Sequence, residues 1–297
     1  MKSALLIGLG VLAIGYMVVL VTSVWRTRRA SIESGTADSW LPAPLHTLIG
    51  FATNFFDTLG IGNFAPTMAW FRYARLVPDE LIPGTMNVGH TLPVMLMALI
   101  FIEIVEVEPV TLICMIASSV FGAWLGAGIV AQLPRTRIQI GMGGALLVAA
   151  LLMIAFQFEL MTEADQALGL EWPRLIAACL VIGMLGALMT IGVGLYAPCM
   201  ILVSLMGMDP KAAFPIMMGA CAFLMPVAST RFVFSGKLRM RVALGLTLGG
   251  LPAVLIAAFL VKSLPLYALK WLVVVVVLFT AIQMLRSALA PERAGGK

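Results

Sequence analysis

Charge is what this chain has least of. Of its 297 residues only 11% are Asp, Glu, Lys or Arg, while 61% are hydrophobic, and the mean hydropathy is +1.05. Soluble domains carry roughly 45–50% apolar and about 25% charged residues. No polar stretch is long enough to build a separate soluble core. Histidine is scarce too, with only His46 and His90. The four cysteines, Cys114, Cys179, Cys199 and Cys221, sit inside apolar runs without CxxC spacing. These absences argue against a metal centre and a disulfide framework. There is no HExxH motif and no Ser/His pair at credible spacing, so an intramembrane enzyme is disfavoured. There is no Walker motif, so ATP is not used directly and no cofactor is expected. The net charge of +5 reads as basic loops on a cytoplasmic face, not as nucleic-acid binding.

What is present is a series of apolar runs of about 20 residues, the length that crosses a bilayer. Ala4–Trp25 is the first. It is longer than a signal-peptide core and ends in Arg26-Thr27-Arg28-Arg29, which marks a retained span with that end in the cytoplasm. A linker to Pro44 is expected to be a loop with a short interfacial piece near Trp40. The organisation read from composition is residues 1–44, first span and linker; 45–158, first repeat; 159–172, an acidic extracytoplasmic loop; 173–290, second repeat; and 291–297, a polar tail.

The repeat rests on one stretch that occurs twice. Thr58-Leu59-Gly60-Ile61-Gly62-Asn63-Phe64-Ala65-Pro66-Thr67-Met68 returns as Thr190-Ile191-Gly192-Val193-Gly194-Leu195-Tyr196-Ala197-Pro198-Cys199-Met200, at an offset of 132. Pro78/Pro210, Pro83/Pro215 and Met86/Met218 keep that offset, and Leu133-Pro134 against Leu264-Pro265 needs 131. Matched glycines and prolines carry the case, because apolar identities recur by chance.

Charge sets the topology. If each broken element crossed the membrane once, Arg26, Arg28 and Arg29 would lie opposite Arg72 and Arg75, against the positive-inside bias. If each is a re-entrant hairpin, those arginines share the cytoplasm with Arg135, Arg137, Arg231, Lys237, Arg239, Arg241 and Arg286. Each repeat then has a hairpin plus three full spans, and three is odd, so the repeats are inverted. The predicted fold class is an all-α integral membrane protein of two inverted repeats, each a re-entrant broken hairpin plus three transmembrane helices, preceded by one N-terminal transmembrane helix. The N-terminus is periplasmic and the C-terminus cytoplasmic.

Non-helical backbone at membrane depth must line a cavity or be buried in protein. Paired glycines allow a tight reversal and leave free N–H groups. Pro66 and Pro198 suit the first turn of the following half-helix. Two such N-terminal ends meeting near the midplane would hold a small anion. The alternative is a pair of packing kinks. Candidate substrate-binding residues are Thr58, Gly60, Gly62, Asn63, Thr67, Asn87 and His90 in the first repeat, and Thr190, Gly192, Gly194, Tyr196 and Cys199 in the second. Asn87 and His90, three apart, share a helix face. Asp57 and His90 are the proton-coupling candidates; Asp57 could instead cap a half-helix. The second repeat has Met189, Leu195, Gly219 and Ala222 in place of Asp57, Asn63, Asn87 and His90.

The two Gly-x-Gly-x-x-Ala-Pro units, the Pro-x-x-x-x-Pro at Pro78–Pro83 and Pro210–Pro215, and the small-residue span ending in Leu-Pro resemble the TauE/SafE sulfite exporter family. The resemblance runs from about Leu45 to Leu289, with Asn63 and Leu195 standing where that family often has another glycine. It implies a secondary-active transporter of sulfite or an organosulfonate in the bacterial inner membrane. Its partners would be that anion, the bilayer, a coupling proton or sodium ion, and in a homodimer a second copy. An anion channel using the same site is the alternative reading.

Overall fold

A computed structural model describes the chain except Met1 and residues 34–40, 130–139, 142, 145, 149, 152–153, 155–166, 190–194 and 290–297. The described residues are almost entirely helical. In order they form α1 (Lys2–Glu33), α2 (Pro44–Thr58), α3 (Phe64–Tyr73), α4 (Ile82–Ile104), α5 (Pro109–Ile129), α6 (Trp172–Met189), α7 (Tyr196–Leu205), α8 (Ala213–Ser235), α9 (Met240–Ser263) and α10 (Leu266–Leu289). Five stretches are long and apolar enough to cross a membrane: Lys2–Arg26, Asp79–Ile104, Trp172–Met189, Pro210–Ser235 and Met240–Ser263. The chain is a multi-pass membrane protein.

One detail differs from the sequence reading. α1 does not stop at Trp25 but runs through the arginines to Glu33. No residue before Gly35 breaks a helix, and Arg, Ala and Glu all favour one. α6 has 18 residues where α2 has 15. The expected interfacial piece at Trp40, the acidic loop at 159–166, the second break at 190–194 and the tail lie outside the described residues.

Two units can be distinguished. The first contains α1 to α4, α8 from Phe214 onward, and α9. Within it α2 lies along α9. A Cβ on Gly245 would run into His46, one on Gly249 into the backbone of Thr47 and Phe51, and one on Gly250 into the Asn54 side chain. The residue numbers rise together, so α2 and α9 are parallel. The α4 contacts to α9 also rise together: Thr85 Oγ1 accepts from Arg239 N at 2.9 Å, and Thr247 Oγ1 donates to Gly89 O at 2.8 Å. α4 is therefore parallel to both. It runs antiparallel to α8, through Gly84 at Phe232, Thr91 at Ser229 and Phe101 stacked on Phe214. It is antiparallel to α1 as well, since Lys2 Nζ bonds Glu103 O and Tyr16 OH bonds Val88 O.

α4 stays one helix despite Pro93. The missing Pro93 N–H leaves Gly89 O without its usual donor. Thr247 Oγ1 supplies the replacement from α9.

The second unit contains α5, α6, α7 and α10. Its α5–α6 pair copies the α2–α9 pair of the first unit. A Cβ on Gly183 would touch Ser118, and one on Gly186 would run into Ser119. With the offset of 132 for the hairpin arms and 131 for the long spans, Phe51–Gly249 becomes Gly183–Ser118, and Asn54–Gly250 becomes Gly186–Ser119. The two helix contacts thus fall at positions that correspond in the sequence at these offsets. α2 lies against α9, and α6 lies against α5. A groove of about 300 Å³ between α5 and α6, lined by residues such as Cys114, Trp172 and Cys179, is apolar and contains none of the sequence-predicted site residues.

Candidate functional site

The first break is a well-formed helix end. Gly60 N bonds Asp57 O at 2.8 Å and Ile61 N bonds Phe56 O at 3.1 Å, with Gly60 at φ +95°. That is a Schellman cap, which requires a left-handed residue at the Gly60 position. Gly62 is left-handed as well, at φ +89°, and a Cβ there would meet nothing within 4 Å. The turn therefore faces open space. α3 starts at Phe64 with Pro66 in its first turn, where no N–H is needed. Among the described residues, the N–H groups of Gly62, Phe64 and Ala65 make no backbone hydrogen bond.

Behind the turn lies a buried polar network. Asn63 Nδ2 donates to Asp57 Oδ2 at 2.8 Å and reaches Asn54 Oδ1 at 3.4 Å. Asn54 Nδ2 donates to Gly50 O at 2.7 Å. His90 Nδ1 lies 3.1 Å from Asn54 Oδ1, and its Nε2 lies 3.0 Å from Thr67 Oγ1. Thr67 Oγ1 is also 2.7 Å from Asn63 O. Asn54, Asp57, Asn63, Thr67 and His90 are all buried. Among the described residues no cation pairs with Asp57; the ion pair present, Arg72–Asp79 at 3.1 Å, is exposed.

The donors and acceptors fix the protons. Gly50 O can only accept, so the Asn54 nitrogen faces it and the Asn54 oxygen faces His90. His90 Nδ1 therefore carries a hydrogen, and Nε2 faces the Thr67 hydroxyl. Thr67 has one hydroxyl proton. It points to Nε2 when His90 is neutral. When Nε2–H donates to Thr67 instead, that proton turns to Asn63 O. The Thr67 hydroxyl can thus face Nε2 as donor or as acceptor with no heavy atom moved.

Asn87 lies elsewhere. Its Oδ1 accepts from Ser229 Oγ at 3.3 Å, Ser229 Oγ is 2.7 Å from Thr91 Oγ1, and Tyr16 OH lies within reach of both hydroxyls. Asn87 and His90, expected to act from one face, join separate clusters: Asn87 with α8 and α1, His90 with α2 and α3. Thr58 is buried and spends its hydroxyl on Asn54 O at 2.7 Å and Met97 Sδ at 3.2 Å. In the second repeat, Cys199 is buried with its Sγ 4.0 Å from Ala213 O, and Tyr196 is half-buried at the start of α7. Thr190, Gly192 and Gly194 are outside the described residues.

Sequence reasoning missed Tyr16 and Thr247. Tyr16 had a faint signal, as the one phenol in an otherwise apolar first span. Thr247 could have been sought as the donor that Pro93 makes necessary.

Residues 175–296 match the model of the sulfite exporter TauE/SafE family. The TauE/SafE match covers the second repeat and the tail, and it agrees with the resemblance carried by the glycine-proline motifs. No curated protein and no solved structure matches the chain.

Proposed function

We propose that this TauE/SafE-type chain is a secondary-active exporter of a small sulfur-containing anion, sulfite or an organosulfonate, held at the α2–α3 turn and coupled to protons. One observation carries the reading: an open glycine turn with unspent N–H groups, backed by an acid–base network. Backbone N–H groups at a helix start suit an anion without any Lys or Arg. Asp57 and His90 behind it would hold the coupling proton. The second-repeat counterparts of Asn54, Asp57, Asn63, Thr67 and His90 are Gly186, Met189, Leu195, Cys199 and Ala222. The repeated fold is made there without the network, so packing alone does not call for it.

Helix directions support the re-entrant, inverted arrangement. A single crossing by α2 and α3 would make α2 antiparallel to α4, whereas the two are parallel. The repeat partners α4 and α8 run in opposite directions. α2, at 15 residues, spans about 22 Å at 1.5 Å per residue and stops short of a core of about 30 Å. On this reading the N-terminus is periplasmic, and Arg72 and Arg75 are cytoplasmic.

The test is flux of sulfite, thiosulfate and sulfoacetate in proteoliposomes. Saturable transport with counterflow and a pH-gradient dependence is expected. Large single-channel currents would replace the carrier with a channel. Gly62→Val, which a left-handed backbone disfavours, is expected to abolish flux, while Gly62→Asn, which tolerates that backbone, retains much of it. Gly194→Val in the repeated break is expected to behave like Gly62→Val.

A further inference from the structure

Counting unspent donors separates two roles that the sequence had merged. An anion needs N–H or O–H groups that are not already committed. Around the α2–α3 turn the side chains are committed. Thr58 donates to Asn54 O, Asn63 to Asp57 and Asn54, and the Thr67 hydroxyl is shared between His90 and Asn63 O. Only backbone N–H groups are open there.

Asn87 differs. It is half-buried, and its carboxamide oxygen accepts from Ser229. Its Nδ2 makes no hydrogen bond among the described residues. The hydroxyls form a relay in which Thr91 Oγ1 donates to Ser229 Oγ at 2.7 Å and Ser229 Oγ donates to Asn87 Oδ1 at 3.3 Å, which turns the amide nitrogen away. Tyr16, buried on α1, reaches the same pair while bonding Val88 O at 3.2 Å. Three helices thus orient one amide and leave its two N–H hydrogens unused. Interhelical polar glue would account for the Thr91–Ser229 bond. It does not account for the two amide N–H hydrogens, which are held in one direction and left accessible.

We propose that Asn87 is a second oxyanion contact, on the α1–α8 side of α4, where it donates to an oxygen of a sulfite or sulfonate group. Thr91, Ser229 and Tyr16 are its positioning residues. The inference rests on the transporter reading above and adds a second station to it. A neutral donor suits this role: it recognises an oxyanion with no fixed charge to trap it. The acid–base network on the α2–α3 side then keeps its proton while the anion is held one helix face away.

The experiment measures sulfite uptake kinetics and sulfite-induced thermal shift on purified full-length protein carrying Asn87→Ala, Asn87→Asp or Ser229→Ala. Loss of one hydrogen bond to a charged group is expected to raise KM about tenfold or more for Asn87→Ala, with kcat little changed. Asn87→Asp, which adds repulsion, is expected to raise it further, and Ser229→Ala to raise it less. Thr230→Ala, whose hydroxyl bonds only Pro226 O at 2.8 Å, is the control and should leave KM unchanged. Should Asn87→Asp fail to insert, Asn87→Ala and Ser229→Ala still decide the matter. Unchanged KM and thermal shift in these variants, with an active wild type, overturn the second contact alone. A wild type that neither binds nor moves sulfite, thiosulfate or sulfoacetate overturns the transporter reading and this contact with it.

Discussion

His90 is the side chain whose chemistry is best constrained. Its Nδ1 is tied to Asn54 and its Nε2 faces a hydroxyl that can reverse. His90→Gln and Asp57→Asn are each expected to lose accumulation driven by a pH gradient while keeping sulfite exchange at equal pH. Retention of gradient-driven uptake in both would remove them from coupling. Another residue reports on backbone strain. α3 ends in a second Schellman cap, with Arg75 N bonded to Arg72 O, Leu76 N to Phe71 O, and Arg75 itself left-handed at φ +49°. The repeat places Gly207, at φ +79°, at the same point after α7. Arg75→Gly is expected to raise stability by about 1 kcal/mol, since a left-handed residue with a Cβ costs about that much. A thermal midpoint in detergent that fails to rise would contradict this. The sequence exposed the glycines and prolines of the turn because few residues can replace them there. It could not show that Asn87 and His90 part company. Spacing of three puts two side chains near one another on a helix, but the neighbouring helices decide which side of that shared face each one serves.

At the scale of elements, Gly and Pro were the legible marks: the break expected around Gly60, Gly62 and Pro66 separates α2 from α3. α1 overran its expected end because arginines end a membrane span without ending a helix. α5 is capped by Glu108, whose carboxylate accepts from Val110 N at 3.1 Å, Thr111 N at 2.7 Å and Thr111 Oγ1 at 2.6 Å. Burial alone would raise the Glu108 pKa, but the hydrogen bonds from Thr111 and Val110 outweigh it and hold it below the usual carboxylate value. A lowered pKa means the cap stabilises the fold above the unfolded value, about 4.3, and is lost as pH falls through the lowered one. Glu108→Ala is expected to cost about 1 kcal/mol at neutral pH. The gap from wild type should close as pH falls below about 4. A gap that persists under acid would mean the cap is not ionic. The α2–α9 seam is tighter still. Gly249→Leu has to displace the Thr47 and Phe51 backbone and is expected to abolish a folded monodisperse product. Val227→Leu on the exposed side of α8 should not.

For the whole molecule, the Phe51–Gly249 and Gly183–Ser118 contacts fall at positions related by the offsets read in the sequence. Which helices would meet was not legible, because an offset in sequence does not say which span a helix will pack against. Cysteines placed at Arg26, Arg72 and Lys237 are expected to label from one side of the membrane, the cytoplasm. Labelling of Arg72 from the opposite side to Arg26 would reject the re-entrant arrangement.

The Thr247 bond to Gly89 has a mechanical corollary. Gly89 O has no donor in its own helix, so sliding α9 along α4 by one turn would strand that carbonyl in an apolar interior, at about 1–3 kcal/mol. Gly249 and Gly250 leave α2 no room to ride over α9. α2, α4 and α9 are therefore expected to move as a single plank. Against α8 that plank is held by the Gly84–Phe232 contact and the Phe101–Phe214 stack, with the Thr91–Ser229–Asn87 cluster between them, so any slip there has to break apolar packing before the polar groups can change partners.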